Sequence, residues 1–105
     1  MASQSGADLR WDTLAGLLAD VNSVPEELTI YVPSEGQVGL ETRVTLVDEE
    51  EENPPSGARY LLEVSIVKEV LDVWSSWRDG RIPSLAEACE AVVHYASHDA
   101  YLPTE

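Results

Sequence analysis

Five consecutive carboxylates are the most obvious candidate for chemistry in this sequence. The stretch VDEEEENPPSG holds them before two prolines and a glycine, and they are Asp48, Glu49, Glu50, Glu51 and Glu52. The run lacks the alternating ligand spacing and the central glycine of a calcium-binding EF-hand loop, and five adjacent side chains cannot all point at one ion. Two interpretations stay open: a solvated loop whose charges repel one another, and a surface that attracts a basic partner.

Two histidines one helical turn apart form a second candidate. His94 and His98 have the i, i+4 spacing of two zinc ligands, and Asp99 follows directly. No glutamate stands where an HExxH motif requires one, and on an ideal helix Cys89 points about 140° away from His94. We therefore predict no metal and no cofactor, and we expect the histidines to interact with carbonyl groups at a helix end. A small metal-dependent enzyme that uses His94 and His98 stays open as an alternative.

Nucleophilic catalysis has no support in the sequence. Cys89, the only cysteine, is predicted on the apolar face of a helix between Glu87 and Glu90, a setting that raises the pKa of a thiol. A single cysteine also fits a reducing compartment. The six glycines are scattered singly, so there is no glycine-rich phosphate loop. We predict that the protein is not an enzyme.

The composition indicates one acidic domain. The 105 residues include twenty acidic and six basic side chains, for a net charge of -14. Such a charge repels phosphate backbones, so we expect no nucleic acid as a ligand. No stretch approaches the ~18 apolar residues of a membrane span, and MASQSGADLRWD lacks the basic and apolar regions of a secretion signal. We expect a cytoplasmic protein with no membrane partner.

Hydrophobic periodicity predicts three helices around three strands. A disordered tail over 1–7 precedes a helix over 9–22 that Asp8 caps. Strands follow at 28–32, 40–47 and 59–65. A second helix starts at a Ser65 cap and ends near Gly80, and a third starts at Ser84, where Glu87 completes a capping box. The acidic run then falls in a hairpin loop over 48–58. The predicted fold class is α+β, a three-stranded antiparallel sheet with helices packed on one face, in the order α-β-β-β-α-α.

Aromatic side chains supply candidate anchors for a partner. The sequence has three tryptophans and no phenylalanine, so tryptophan must fill much of the core. Trp74 and Trp77 are three residues apart and cannot both be fully buried on one helix face. We predict that Trp77 is the exposed one, and that Trp77 and Tyr31 anchor a partner.

Two stretches carry a resemblance to a known group of proteins. RYLLEVSIVKEVLDVW (59–74) and VVHYASHDAYLP (92–103) resemble a group of small acidic bacterial proteins, classed as a domain of unknown function and similar to immunity proteins that neutralise secreted toxins. The resemblance covers residues 58–103. It implies a small cytoplasmic α+β protein whose function is binding, and it transfers no functional residues.

The leading functional hypothesis is a non-enzymatic acidic binding protein, an immunity or inhibitor protein that neutralises a basic partner protein. Clustered carboxylates would speed the encounter and an aromatic anchor would slow release. Two alternatives remain besides the metal-dependent enzyme. One is a DNA mimic, with carboxylates at phosphate-like spacing over one face. The other is a structural or adaptor protein that forms a homodimer through an uncovered sheet face or the tryptophan edge.

Overall fold

A short strand that is buried over four consecutive residues lies at the centre of the sheet. The structure, a computed structural model, describes residues 12–51 and 53–103. The central strand is β1 (Thr29–Pro33). Its Ile30 and Val32 belong to the hydrophobic core, whereas the alternation of a strand places Thr29 and Tyr31 on the opposite face. The β-branched and aromatic sequence TIYV is typical of a strand that is covered on both faces.

Two further strands flank β1. β2 (Thr45–Val47) and β3 (Ala58–Glu63) both pair with it in antiparallel fashion, which gives the order β2-β1-β3. The β3 pairing shifts register, so that Ile30 opposes Leu62 while Tyr31 opposes Tyr60. The shift leaves Leu61 as the extra residue of a β-bulge and lets two successive leucines be buried. The predicted three-stranded antiparallel sheet is confirmed.

The connection between β2 and β3 is not a hairpin. Both strands pair with β1 and not with each other, so they run parallel. The chain leaves β2 at Val47, opposite Thr29, and enters β3 at Ala58, opposite Pro33. It therefore travels the length of β1, and the predicted acidic hairpin loop over 48–58 is wrong. We call residues 48–57 the acidic crossover.

The first helix is shorter than predicted. α1 (Leu14–Ala19) begins after Thr13, whose hydroxyl accepts a hydrogen bond from the N–H of Gly16 at 3.2 Å. Thr13 is extended, so the helix cannot start at residue 9; the predicted tail, residues 9–11 and the Asp8 cap lie outside the described residues. A 3-10 turn, Val21–Ser23, follows α1.

The predicted strand over 40–47 is reduced to the three residues of β2. The residues before β2 bond to the start of α1 instead of to the sheet. The N–H of Leu14 donates to the carbonyl of Thr42 and that of Ala15 to the carbonyl of Leu40, each at 2.9 Å. The alternation over 40–47 therefore includes residues whose backbone bonds to the start of α1 and not to a neighbouring strand.

The second and third helices follow their local signals closely. α2 (Val64–Ser76) begins directly after β3, and Glu63 takes the cap position instead of the predicted Ser65. Gly80, just beyond its end, has a φ of +81°, the left-handed conformation predicted there. α3 (Leu85–His98) begins at Ser84 with the predicted capping box to Glu87.

One hydrophobic core fills the space between the sheet and the helices. It includes fully buried residues of α1, β1, α2 and α3: Leu14, Leu17, Ile30, Val64, Val67 and Val92. The predicted α+β class, with the order α-β-β-β-α-α and helices on one face of the sheet, is confirmed. Among the described helices, none is long and apolar enough to cross a membrane.

Candidate functional site

A tight turn fixes the start of the acidic crossover. Asp48 Oδ1 accepts a hydrogen bond from the N–H of Glu50 at 3.1 Å, and the Asp48 carbonyl accepts one from the N–H of Glu51 at 2.9 Å. Aspartate favours such turns because its short carboxylate can bond the backbone two residues ahead. Glu50 and Glu51 are both exposed. The turn thus presents two carboxylates to solvent from an ordered backbone.

A buried tyrosine binds the carboxylate of Glu49, another acidic residue of the crossover. The hydroxyl of Tyr31 donates a hydrogen bond to Oε2 of Glu49. This bond to a carboxylate, followed by burial, raises the pKa of Tyr31 above its usual value. Tyr31 is 7% exposed and Val47 is 2% exposed, although neither belongs to the core between sheet and helices. Glu49 of the crossover therefore lies against Tyr31 on the outer face of the sheet.

This position changes the role of Tyr31. The sequence predicted an exposed anchor, but a side chain that is 7% exposed and bonded to Glu49 has little surface for a partner. Its hydroxyl instead orients one of the predicted binding carboxylates. Tyr31 is thus a support for the acidic crossover rather than a contact surface.

Strand pairing gathers carboxylates from three separate segments. Thr29 pairs with Val47 on one side and with Glu63 on the other, so the start of β1 lies beside the ends of β2 and β3. A depression of about 410 Å³ lies at this end of the sheet. We call it the acidic depression, and its lining includes six carboxylate residues, Glu26, Glu27, Asp48, Glu49, Glu50 and Glu63.

The electrostatic consequence is a concentrated negative field. Within the described residues, the ion pair at this depression joins Lys68 Nζ to Glu26 at 3.7 Å. Like charges on one concave surface repel each other and raise the local concentration of cationic groups. Within residues 12–51 and 53–103, no group of three or more His, Cys, Asp or Glu side chains has the geometry to hold a metal ion.

Half of the acidic depression was missed at the sequence level. Glu26 and Glu27 directly precede the predicted strand over 28–32, in EELTIYV, and Glu63 lies inside the predicted strand over 59–65, in RYLLE. Their grouping depends on β1 lying between β2 and β3. The predicted hairpin would have made β2 and β3 neighbours, and so it excluded this order. Of the predicted binding carboxylates, Glu52 lies outside the described residues.

The predicted tryptophan anchor lies at the other end of α2. Trp77 is 50% exposed, whereas Trp74 is 4% exposed, as predicted. The Trp77 ring packs edge-on against Tyr101, with centroids 5.9 Å apart. α2 rises ~1.5 Å per residue, so about 20 Å separates Trp77 from Glu63 at the acidic depression. The residues predicted to bind one partner therefore belong to two separate surfaces.

The histidine pair is stacked. The rings of His94 and His98 have centroids 4.3 Å apart and planes inclined by 17°. The lone pairs of imidazole lie in the ring plane, so nearly parallel rings do not direct two nitrogens at one ion. Nδ1 of His98 lies 3.1 Å from the carbonyl oxygen of His94, which confirms the predicted contact with helix-end carbonyls.

Cys89 is 8% exposed on α3. Burial raises the pKa of its thiol, the direction that was predicted, although desolvation and not the flanking glutamates is the cause. A protonated, buried thiol is a poor nucleophile.

Comparison with known proteins gives no further guidance. No protein-family model matches the chain, and neither a curated protein nor a solved structure matches it. Its function has to be argued from its own surfaces.

Proposed function

We propose that the protein is a non-enzymatic acidic binding protein that captures a basic partner protein at the acidic depression. One observation supports this above all: the strand order brings carboxylates from residues 26–27, from the crossover and from the end of β3 around a single concavity. A solvated acidic loop by itself would account for the crossover residues alone. It does not account for their convergence with Glu26, Glu27 and Glu63.

The charge acts mainly on the rate of encounter. A field of this sign can accelerate association with a cationic protein by ~10 to 1000-fold, while charges at the rim of an interface add little to final affinity. The turn at Asp48 and the bond from Tyr31 hold the carboxylates in place before a partner arrives. Less conformational freedom is then lost on binding.

The biological role that we propose is that of a cytoplasmic immunity or inhibitor protein. Many toxins that act on nucleic acids or membranes have basic active surfaces, and an acidic protein can block such a surface. The net charge of -14 supports this role, and the resemblance that we propose for residues 58–103, to small acidic immunity-like bacterial proteins, agrees with it.

The test is capture of the partner with charge-matched variants. The immobilised full-length chain is exposed to lysate of its source organism at low salt, and bound proteins are identified by mass spectrometry. One variant combines Glu27→Gln, Glu50→Gln and Glu63→Gln, three exposed carboxylates of the depression. The control combines Glu35→Gln, Glu41→Gln and Glu90→Gln, which changes the net charge equally at exposed sites outside the depression.

We expect the wild type to capture a basic protein. The control should capture this protein as well as the wild type does, and the depression variant should capture it at least tenfold more slowly at low salt. The difference should shrink at high salt, because a Debye length of ~8 Å at physiological ionic strength already screens such steering. Equal loss in both variants would contradict the proposal, since only net charge would then matter. Displacement of the partner by duplex DNA would indicate the DNA-mimic form of the same function.

A further inference from the structure

The connection between α2 and α3 exposes an unusual amount of apolar side chain. Of the four large hydrophobic residues exposed in the described part of the chain, three lie within nine positions of each other: Trp77 at 50%, Ile82 at 84% and Leu85 at 42%. Single exposed hydrophobics are ordinary, but a group of them marks an interaction surface. We call residues 77–85 and the recess beside them the α2–α3 surface.

A recess that could receive an apolar side chain lies beside the exposed Ile82. Its volume is about 440 Å³, and its lining includes Leu18 from α1, Leu71 from α2, and Leu85 and Ala88 from α3. Ile82 stands at its edge and is almost fully in solvent. Asp20, Asn22 and Asp72 also line the recess, and its leucines and Ala88 can receive a protruding apolar side chain. Two copies related by a two-fold axis can each insert Ile82 into the recess of the other.

The charges on this surface are also complementary to themselves. Asp72 lines the recess, while Arg81 precedes the protruding Ile82. When Ile82 enters the recess of a second copy, Arg81 approaches Asp72 of that copy, and the symmetry repeats the pair. Arg81 is already oriented, since its guanidinium lies 2.9 Å from Glu87 and 4.8 Å from the Trp74 ring centroid.

The protruding side of this surface is less acidic than the chain as a whole. Between residues 73 and 86 the charged side chains are Arg78, Asp79 and Arg81, two positive and one negative, for a net charge of +1 in a chain of -14. The recess contributes Asp20 and Asp72, so the contact sets a basic protrusion against an acidic recess. We infer that the α2–α3 surface is the interface of a symmetric dimer of this chain, independent of any partner at the acidic depression.

The test is the mass of the full chain in solution. Sedimentation equilibrium over a range of concentrations should show a monomer–dimer equilibrium. Dimerisation should strengthen at high salt, because salt screens the repulsion between two acidic bodies and does not weaken apolar contact. This is the opposite of the salt dependence expected at the acidic depression. A monomer at every concentration and salt level would overturn the inference.

Two variants locate the interface. Ile82→Asp should raise the dissociation constant at least tenfold without unfolding the chain, since Ile82 is 84% exposed. Gln37→Asp adds the same charge at an exposed site outside the surface and should leave the dimer within about twofold of wild type. A dimer that Ile82→Asp does not weaken, or that both variants weaken equally, would place the contact elsewhere and overturn the inference. The variants at the acidic depression do not touch this surface, so the two proposals fail separately.

Discussion

The acidic depression and the α2–α3 surface lie at opposite ends of α2 and are built in opposite ways. At the depression, carboxylates project from loops and strand ends over the outer face and end of the sheet. At the α2–α3 surface, apolar side chains project from a helix end and its connection, above the buried Trp74. On our two proposals, the depression attracts a partner over a distance and the α2–α3 surface makes apolar contact, so we expect opposite salt dependence at the two ends of α2.

The largest difference that we predict concerns the two neighbouring tryptophans of α2. Trp74→Ala should lower the free energy of unfolding by about 3–5 kcal/mol, because it empties a core position. Trp77→Ala should lower it by only about 1 kcal/mol, the scale of its edge-on contact with Tyr101. Urea unfolding of both variants checks this. Equal losses would mean that Trp77 belongs to the core and not to a surface.

A smaller effect is expected at the start of α3, next to the α2–α3 surface. Ser84→Ala removes the hydroxyl that accepts a hydrogen bond from the N–H of Glu87 at 3.2 Å. The loss of such a cap should cost about 1 kcal/mol in unfolding free energy. Ser65→Ala is the matched control, since Ser65 lies inside α2 and is not its cap; its unfolding curve should stay close to that of the wild type.

At the acidic depression we expect a local effect. Tyr31→Phe removes the hydroxyl that bonds Glu49 and keeps the buried ring. Amide hydrogen exchange should become faster at Glu50 and Glu51, whose N–H groups bond Asp48. Tyr60→Phe, on the adjacent strand, is the control and should leave exchange in the crossover unchanged. If Tyr31→Phe also leaves it unchanged, the tyrosine does not order the crossover.

The smallest effect appears only at alkaline pH. It concerns two tyrosines, Tyr31 and Tyr101, which lie near opposite ends of α2. The hydroxyl of Tyr101 donates a hydrogen bond to Glu69 at 2.7 Å, which, with burial, raises the pKa of Tyr101 to about 12. The bond to Glu49 raises the pKa of Tyr31 in the same way. The stabilisation from each bond is complete below the usual tyrosine value of 10 and is lost as pH rises through the raised value.

Tyrosinate absorbance measures these titrations directly. Tyr101→Phe should remove a step near pH 12, and Tyr31→Phe should remove another step above the usual value of 10. If all the tyrosines of the wild type titrate together near 10, neither hydroxyl is bonded as described.

Local signals in the sequence predicted what depends on neighbouring residues. The capping box of Ser84 and Glu87, the exposure of Trp77 over Trp74 and the left-handed Gly80 each follow from side chains within a few positions. Helix caps and amphipathic spacing are set within one or two turns, so these predictions needed no knowledge of the rest of the fold.

The predicted Ser65 cap was a local error of two residues, and the larger errors concern contacts between distant parts of the chain. Alternation over 40–47 predicted one strand, but Leu40 and Thr42 bond to the start of α1. Tyr31 was predicted to anchor a partner, but it is 7% exposed and its hydroxyl bonds Glu49, a residue 18 positions away. The acidic depression could not be predicted because its carboxylates meet only once the order of the strands is known.

That order has a consequence for behaviour at high concentration. An exposed strand edge is a template on which further chains can add, and proteins avoid this with short or charged edges. Here the most apolar strand, β1, lies in the centre, and the edges are a strand of three residues and one that contains Arg59 and Glu63. The sheet thus offers poor ends for fibril growth, and the strand best suited to aggregation is protected on both sides by its neighbours.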